Sequence, residues 1–175
     1  MRASHRHKRY WSTLGLLTFN WVNLWMPYRG FFGIRRAWLR SCGLEVGAGT
    51  RVATGSRFMG AYTTIADEVW IGPEVSVMSC QPGPIVIGSR VDIGPRVLLV
   101  SGSHETGDAR RRAGAGTGEQ IVIGDGTWIG AHSTILGGAH IGSGCIIAAG
   151  SLVRSGTYPD DSLLAGVPAV VKRML

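Results

Sequence analysis

Cysteine is scarce, and its arrangement excludes two structural classes. Cys42, Cys80 and Cys145 form neither a CxxC pair nor an even set, which argues against a disulfide scaffold or a cysteine-rich zinc fold and favours reduced thiols in a cytoplasmic compartment. Long apolar runs are lacking as well. The best candidate, Leu14 to Met26, has thirteen residues interrupted by Thr18, Asn20 and Asn23, too few to cross a bilayer as a helix. Basic residues precede it as in a signal peptide, but no A-x-A cleavage site follows, and Trp21 and Trp25 suit an h-region poorly. No basic motif interleaved with aromatics is present, so nucleic acid ranks below other anionic partners. No serine or cysteine nucleophile paired with a base is evident, so covalent catalysis has no visible support.

Glycine, in contrast, is abundant, at 27 of 175 residues, about twice average usage. It accompanies a six-residue beat. Aliphatic residues return at Ile123, Ile129, Ile135, Ile141, Ile147 and Val153, with Gly124, Gly130 and Gly142 directly after three of them. Neither a helical period of 3.6 nor strand alternation produces this spacing. A hexapeptide period predicts a parallel β-helix, in which short strands form flat faces, turns form corners and the recurrent aliphatic fills the interior.

Followed backwards, the beat falls on Val46, Val52 and Phe58, then Ile65, Ile71 and Val77, then Ile87, Ile93 and Leu99. Its phase slips by one residue between 58 and 65, by four between 77 and 87 and by eighteen between 99 and 123. Each slip follows three hexapeptides. If three hexapeptides make one triangular coil, there are five coils, at 46–63, 64–81, 86–103, 122–140 and 141 to about 154, and every insertion leaves from the same corner. Insertions stacked along one edge of a solenoid mark the first place to look for a site. After Val153 the beat stops, and a non-repeating tail from Tyr158 to Leu175 is expected to close the stack with a short strand or helix.

Residues 1–42 form a separate helical segment, and 43–175 the repeat domain. A formal charge of +7 suits an anionic membrane or a polyanionic cofactor. Arg2, Arg6, Lys8 and Arg9 open the chain, and Pro27 divides the segment into two helices. The second, Phe31 to Cys42, is predicted to carry one apolar and one basic face, the latter with Arg35, Arg36 and Arg40. The first reads either as an interfacial helix on the inner leaflet or as a cap on the open end of the solenoid, two roles that are compatible.

The longest insertion contains Ser101-Gly102-Ser103-His104-Glu105-Thr106-Gly107-Asp108, then Arg110, Arg111 and Arg112 and a glycine-rich stretch. An imidazole, with a pKa of about 6.5 when unperturbed, can take a proton at neutral pH, so His104 is a candidate general base, the plain alternative being a surface histidine in a polar loop. His132 and His140 fall at outward positions on different faces. A three-histidine zinc site joining them to His104 across a subunit boundary would need convergence that this pattern does not provide, and no metal is expected. Trp70 and Trp128 point outward, either as ligand walls or as packing between subunits.

Trp128-Ile129-Gly130-Ala131, Ala148-Ala149-Gly150-Ser151-Leu152-Val153, Ala165-Gly166-Val167-Pro168-Ala169 and the Ser101–His104 loop together resemble the hexapeptide-repeat acyltransferases, in particular the sugar O-acetyltransferases of the maltose, galactoside and colanic-acid type. The resemblance covers about Gly43 to Leu175. It implies an all-β, left-handed parallel β-helix, a homotrimer and acetyl-CoA between neighbouring prisms. The left hand comes from the resemblance alone, because the general crossover rule predicts the opposite one. His104 matches the catalytic base, Ala131 and Ala149 match backbone positions along the pantetheine arm, and Arg173 matches a tail residue near the nucleotide phosphates. Where relatives carry another phosphate-binding lysine this chain has Ser155, so that contact passes to Arg154 or Lys172. The acceptor, a sugar, glycan or lipid-linked sugar, is expected to meet Ser79, Cys80, Glu105 and Asp108 on the stacked insertions. Two other readings use the same solenoid: a zinc-dependent hydratase of the carbonic anhydrase kind, and a non-catalytic scaffold.

Overall fold

In a computed structural model the chain is a parallel β-solenoid closed at one end by two helices, α1 (Arg2–Trp25) and α2 (Phe32–Ser41). The structure describes residues 2–175, with side chains from Ser12 onward. The three faces follow the beat. On the first face the inward residues Val46, Ile65, Ile87, Ile123 and Ile141 stand in register in parallel strands. Val52, Ile71, Ile93, Ile129 and Ile147 do the same on the second face. Phe58, Val77, Leu99, Ile135 and Val153 form the third column. All fifteen are buried, so the core is three ladders, aliphatic except for Phe58, running the length of the stack.

The two corners bounding the second face are tight and repeat one conformation. Three residues before every inward residue of the second face, Gly49, Glu68, Arg90, Gly126, Gly144 and Asp161 take positive φ. Gly55, Glu74, Arg96, His132 and Gly150 repeat this before the third face. The glycines adopt it without penalty, whereas a residue with a Cβ is held there by the coils above and below. His132, at φ 60°, is therefore a corner residue. The third corner, from third to first face, is the loose one. All three insertions leave from it, as the slips predicted.

The beat does not stop at Val153. Gly156–Tyr158 adds a sixth parallel strand to the first face, with Tyr158 opposite Ile141, and Ser162–Gly166 adds one to the second, with Leu164 opposite Ile147. Tyr158 follows Val153 by five positions where the beat is six, so a one-residue deletion at the same loose corner throws the sequence out of step while the stack continues. The expected five coils become five and a partial sixth. Ala169–Met174 then turns back antiparallel on Ser162–Gly166 and covers the last edge of the second face.

The opposite end is capped by the helices. Leu16, Phe19, Leu39 and Cys42 are buried against the first coil, and the Phe19 ring meets Trp38 and Phe58 edge-on, each at 5.8 Å. A first coil has no neighbour to pair its backbone, and polar cap residues take that role. The Asn20 amide donates to Phe58 O and accepts from Phe58 N, both at 2.9 Å. Asn23 donates to Ala53 O and Ser56 O, Arg36 to Thr50 O and Arg40 to Val46 O. This corrects the expected basic face of α2: Arg35 is wholly buried, and Arg36, half-buried, and Arg40, still exposed, each bond a carbonyl of the first coil. The cap reading of the segment is therefore realised. The side chains of Arg2, Arg6, Lys8 and Arg9 lie outside the described residues.

Candidate active site

The eighteen-residue insertion is an antiparallel hairpin, Gly102–Thr106 against Ala113–Gly118, standing off the loose corner with its first strand exposed throughout. Its root is built by serines. The Ser101 hydroxyl lies between Met78 O (3.4 Å) and the Cys80 amide (3.2 Å), and Glu119 N donates to Ser101 O at 3.0 Å. One coil below, the Ser79 hydroxyl donates toward Met59 O and Gly60 O and accepts from Tyr62 N. Ser79 is thus buried with its hydroxyl engaged by backbone, and Cys80 is half-buried beneath the hairpin, its Sγ 3.7 Å from Ser101 Oγ. Both stand at the edge where the acceptor was expected, with Ser79 set to hold the corner.

His104 lies on the exposed first strand, directly opposite Gly116. Its Nδ1 is 3.1 Å from Gly114 O across the hairpin. A carbonyl oxygen can only accept, so this bond puts the proton on Nδ1 and leaves the Nε2 lone pair free. Gly116 leaves open space opposite the histidine, with nothing within 4 Å of where its Cβ would stand. Glu105 and Asp108 are exposed on the same hairpin. Asp108 Oδ1 accepts from the amides of Arg110 and Arg111, which fixes the tip, and Arg110, Arg111 and Arg112 form no ion pair among the described residues. Burial pushes the thiols of Cys42 and Cys145 up, so neither is an activated nucleophile.

The residues matched to coenzyme A contacts lie elsewhere. Ala131 and Ala149 stand one coil apart at the second-to-third corner, where Gly150 N donates to Ala131 O at 2.9 Å. Gly130 fits beneath Ala149 only because it lacks a Cβ, which would come within 2.5 Å of Ala149 N. Ala149 is exposed and Ala131 partly so, leaving a shallow small-residue track suited to a thin pantetheine chain. Lys172 and Arg173 are exposed on the last strand and Arg154 on the loose corner, without acidic partners among the described residues. Such free cations suit phosphates. Within one chain, then, the hairpin leaves one edge of the prism and the alanine track follows another, with the third face between them.

Trp70 is partly covered by Phe32 of α2, ring centroids 6.1 Å apart, whereas Trp128 is 55% exposed on the same face. Among the described residues no three His, Cys, Asp or Glu converge as metal ligands, and His104, His132 and His140 stand on the hairpin, a corner and the first face. Gly114 as the histidine's partner was missed by sequence reasoning. Its only signal was the Ala-Gly-Ala-Gly run, which reads as loop until its pairing is known.

Fold and repeat define the class, a hexapeptide-repeat solenoid. Residues 120–155 match the family described as bacterial transferase hexapeptide (six repeats). A galactoside O-acetyltransferase of Lactococcus lactis is 34% identical over 91 residues, 52% of this chain and 44% of the relative, so the chain spans under half the length of that curated relative. A hexapeptide-repeat acetyltransferase of Vibrio cholerae, solved with acetyl-CoA, superposes with TM-score 0.80 at 28% identity over 99% of this chain and 90% of that one. A galactoside acetyltransferase solved with coenzyme A has the same fold, with TM-score 0.78 at 23% identity over 97% and 81% of the two chains. The chain is built of the hexapeptide repeat that these proteins share, and the relatives named here are acetyltransferases.

Proposed function

We propose that the protein transfers an acetyl group from acetyl-CoA to a hydroxyl of a sugar or polysaccharide precursor, acting as a homotrimer. The observation that carries this reading is His104, bonded through Nδ1 to Gly114 O on an otherwise open hairpin. Nε2 removes the acceptor hydroxyl proton, the oxygen attacks the thioester carbonyl, and backbone N–H groups stabilise the oxyanion. Collapse of that adduct breaks the C–S bond, and the imidazolium returns its proton to the departing thiolate, giving the acetyl ester and free CoA. No acyl-enzyme is needed. Ala131 and Ala149 line the pantetheine, while Arg154, Lys172 and Arg173 meet the phosphates. The acceptor lies along the stacked insertions by Ser79, Cys80, Glu105 and Asp108. The arginines at the hairpin tip suit an acceptor carrying phosphate, as lipid-linked sugars do, and a cytoplasmic position against an anionic membrane belongs to the same reading.

The test is an acetyl-CoA transfer assay against sugars and lipid-linked sugars. Acetyl-CoA-dependent ester formation on a hydroxyl is expected. Failure to bind CoA would leave the scaffold reading, and stoichiometric zinc in the purified protein would favour the hydratase.

The homotrimer belongs to the same reading: the hairpin and the alanine track occupy different edges of one prism, so a cleft between them needs a neighbouring copy. A solution mass of three chains is expected. A stable monomer with full activity would contradict it, since the cofactor cleft would then have one wall.

A further inference from the structure

The cap has two faces, and only one is used by the fold. Leu16, Phe19, Asn20 and Asn23 of α1 face the first coil, which fixes the rotation of the helix. The other side presents Leu14, Leu17, Trp21, Leu24 and Trp25, spaced as one helical stripe and all exposed, with Trp21 at 70% and Trp25 at 76%. Tyr28, Phe31 and Ile34, exposed in the connection and the first turn of α2, extend it. Single exposed apolar residues are ordinary, but eight large ones on one small cap are not.

Charge indicates what covers them. None of the 11 acids precedes Glu45, whereas eight of the 18 basic residues do, so the segment carries +8. The other ten basic residues against all 11 acids leave the rest of the chain at −1, so the whole cationic excess belongs to the cap. Arg35, Arg36 and Arg40 make internal hydrogen bonds, and the sequence of α1 itself carries Arg2, Arg6, Lys8 and Arg9. No described helix is long and apolar enough to cross a bilayer. A helix with Trp and Leu on one side, a basic end and too little hydropathy to span is suited to lie in the plane of a membrane surface.

We infer that this outer face of the cap docks the protein on an anionic lipid surface, with the Trp21–Trp25 stripe in the interface and the basic end among headgroups. A second copy is the poorer occupant, because two such caps face to face would bring like charges together. In the proposed three-fold trimer the three caps point to one side, so weak contacts of single caps combine. The inference deepens the proposed function by naming the surface that brings enzyme and lipid-linked acceptor together, but it does not depend on acetyl transfer.

The experiment is co-sedimentation of the full chain with phosphatidylcholine vesicles, with and without phosphatidylglycerol, at low and high salt. The wild type, His104→Ala and a Trp21→Ser/Trp25→Ser double variant are compared, and solution mass is measured for each. Wild type and His104→Ala should bind anionic vesicles at low salt, release at high salt and ignore neutral vesicles. The tryptophan variant should bind roughly tenfold or more weakly. No sedimentation of the wild type would overturn the inference. So would undiminished binding of the tryptophan variant, which would move the contact elsewhere, or a changed solution mass in that variant, which would assign the stripe to contact between copies. A chain that binds vesicles but transfers no acetyl group would leave the docking face standing and remove the proposed chemistry.

Discussion

His104→Ala should lower kcat by about 10²-fold or more, the usual scale for loss of a general base, with thermal stability little changed. The two halves of this expectation have separate grounds. The loss of rate follows from the tautomer: Gly114 O holds the proton on Nδ1, so Nε2 is the nitrogen available to a hydroxyl, and the hairpin sequence holds no second histidine. The retained stability follows from position, because the first hairpin strand is exposed and the imidazole gives the fold only one hydrogen bond, worth about 1 kcal/mol. Steady-state kinetics with a saturating acceptor, beside a melting curve, checks both. Unchanged turnover would remove His104 from the mechanism, and a collapsed melting temperature would make it a structural residue.

The ladders and the loose corner were legible because a solenoid repeats one instruction: an aliphatic every sixth residue faces in, and every departure from six must be accommodated at a corner. Tyr158 and Leu164 escaped because the accommodation there is a deletion, which moves the beat one residue early and puts Pro159 where an aliphatic was expected. Asn20 and Asn23 read as interruptions of an apolar helix. Their purpose lies 30 or more residues away, on the unpaired edge of the first coil, and no local pattern records a bond of that kind. His104 stood out as a candidate because it sits on the longest insertion, whereas its partner Gly114 did not, because a carbonyl leaves no mark in a sequence. The separation of hairpin and alanine track on two edges emerged only from the coil geometry.

Arg35→Ala should be the most damaging single change in the cap, and the reason is the kind of burial involved. Arg35 is fully buried with no carboxylate partner. Burial lowers its pKa from the ordinary value, yet a guanidinium remains charged. What offsets its desolvation is three acceptors: Asn23 Oδ1 at 2.7 Å from Nε, Gly30 O at 2.6 Å from Nη1 and Pro27 O at 2.9 Å from Nη2, with the Phe32 ring 5.9 Å away. Pro27 and Gly30 belong to the turn between the helices, and Asn23 passes the connection on to Ala53 O and Ser56 O of the first coil. One side chain therefore ties both helices and their turn to the solenoid. Truncation leaves three acceptors unpaired around a large void, a loss of roughly 3 kcal/mol or more. Arg35→Lys should recover little, since one ammonium cannot reach three acceptors set out for a planar fork. Arg36→Ala removes a single bond to Thr50 O and should cost about 1 kcal/mol. Because each coil contacts only its neighbours, the damage should stay local, loosening the cap before the later coils melt. Limited proteolysis should then cut Arg35→Ala around residues 26–44 under conditions that leave wild type and Arg36→Ala intact, with an added early step in thermal unfolding. A protease-resistant Arg35→Ala protein that melts with the wild type would show that the cap is held by its apolar contacts alone.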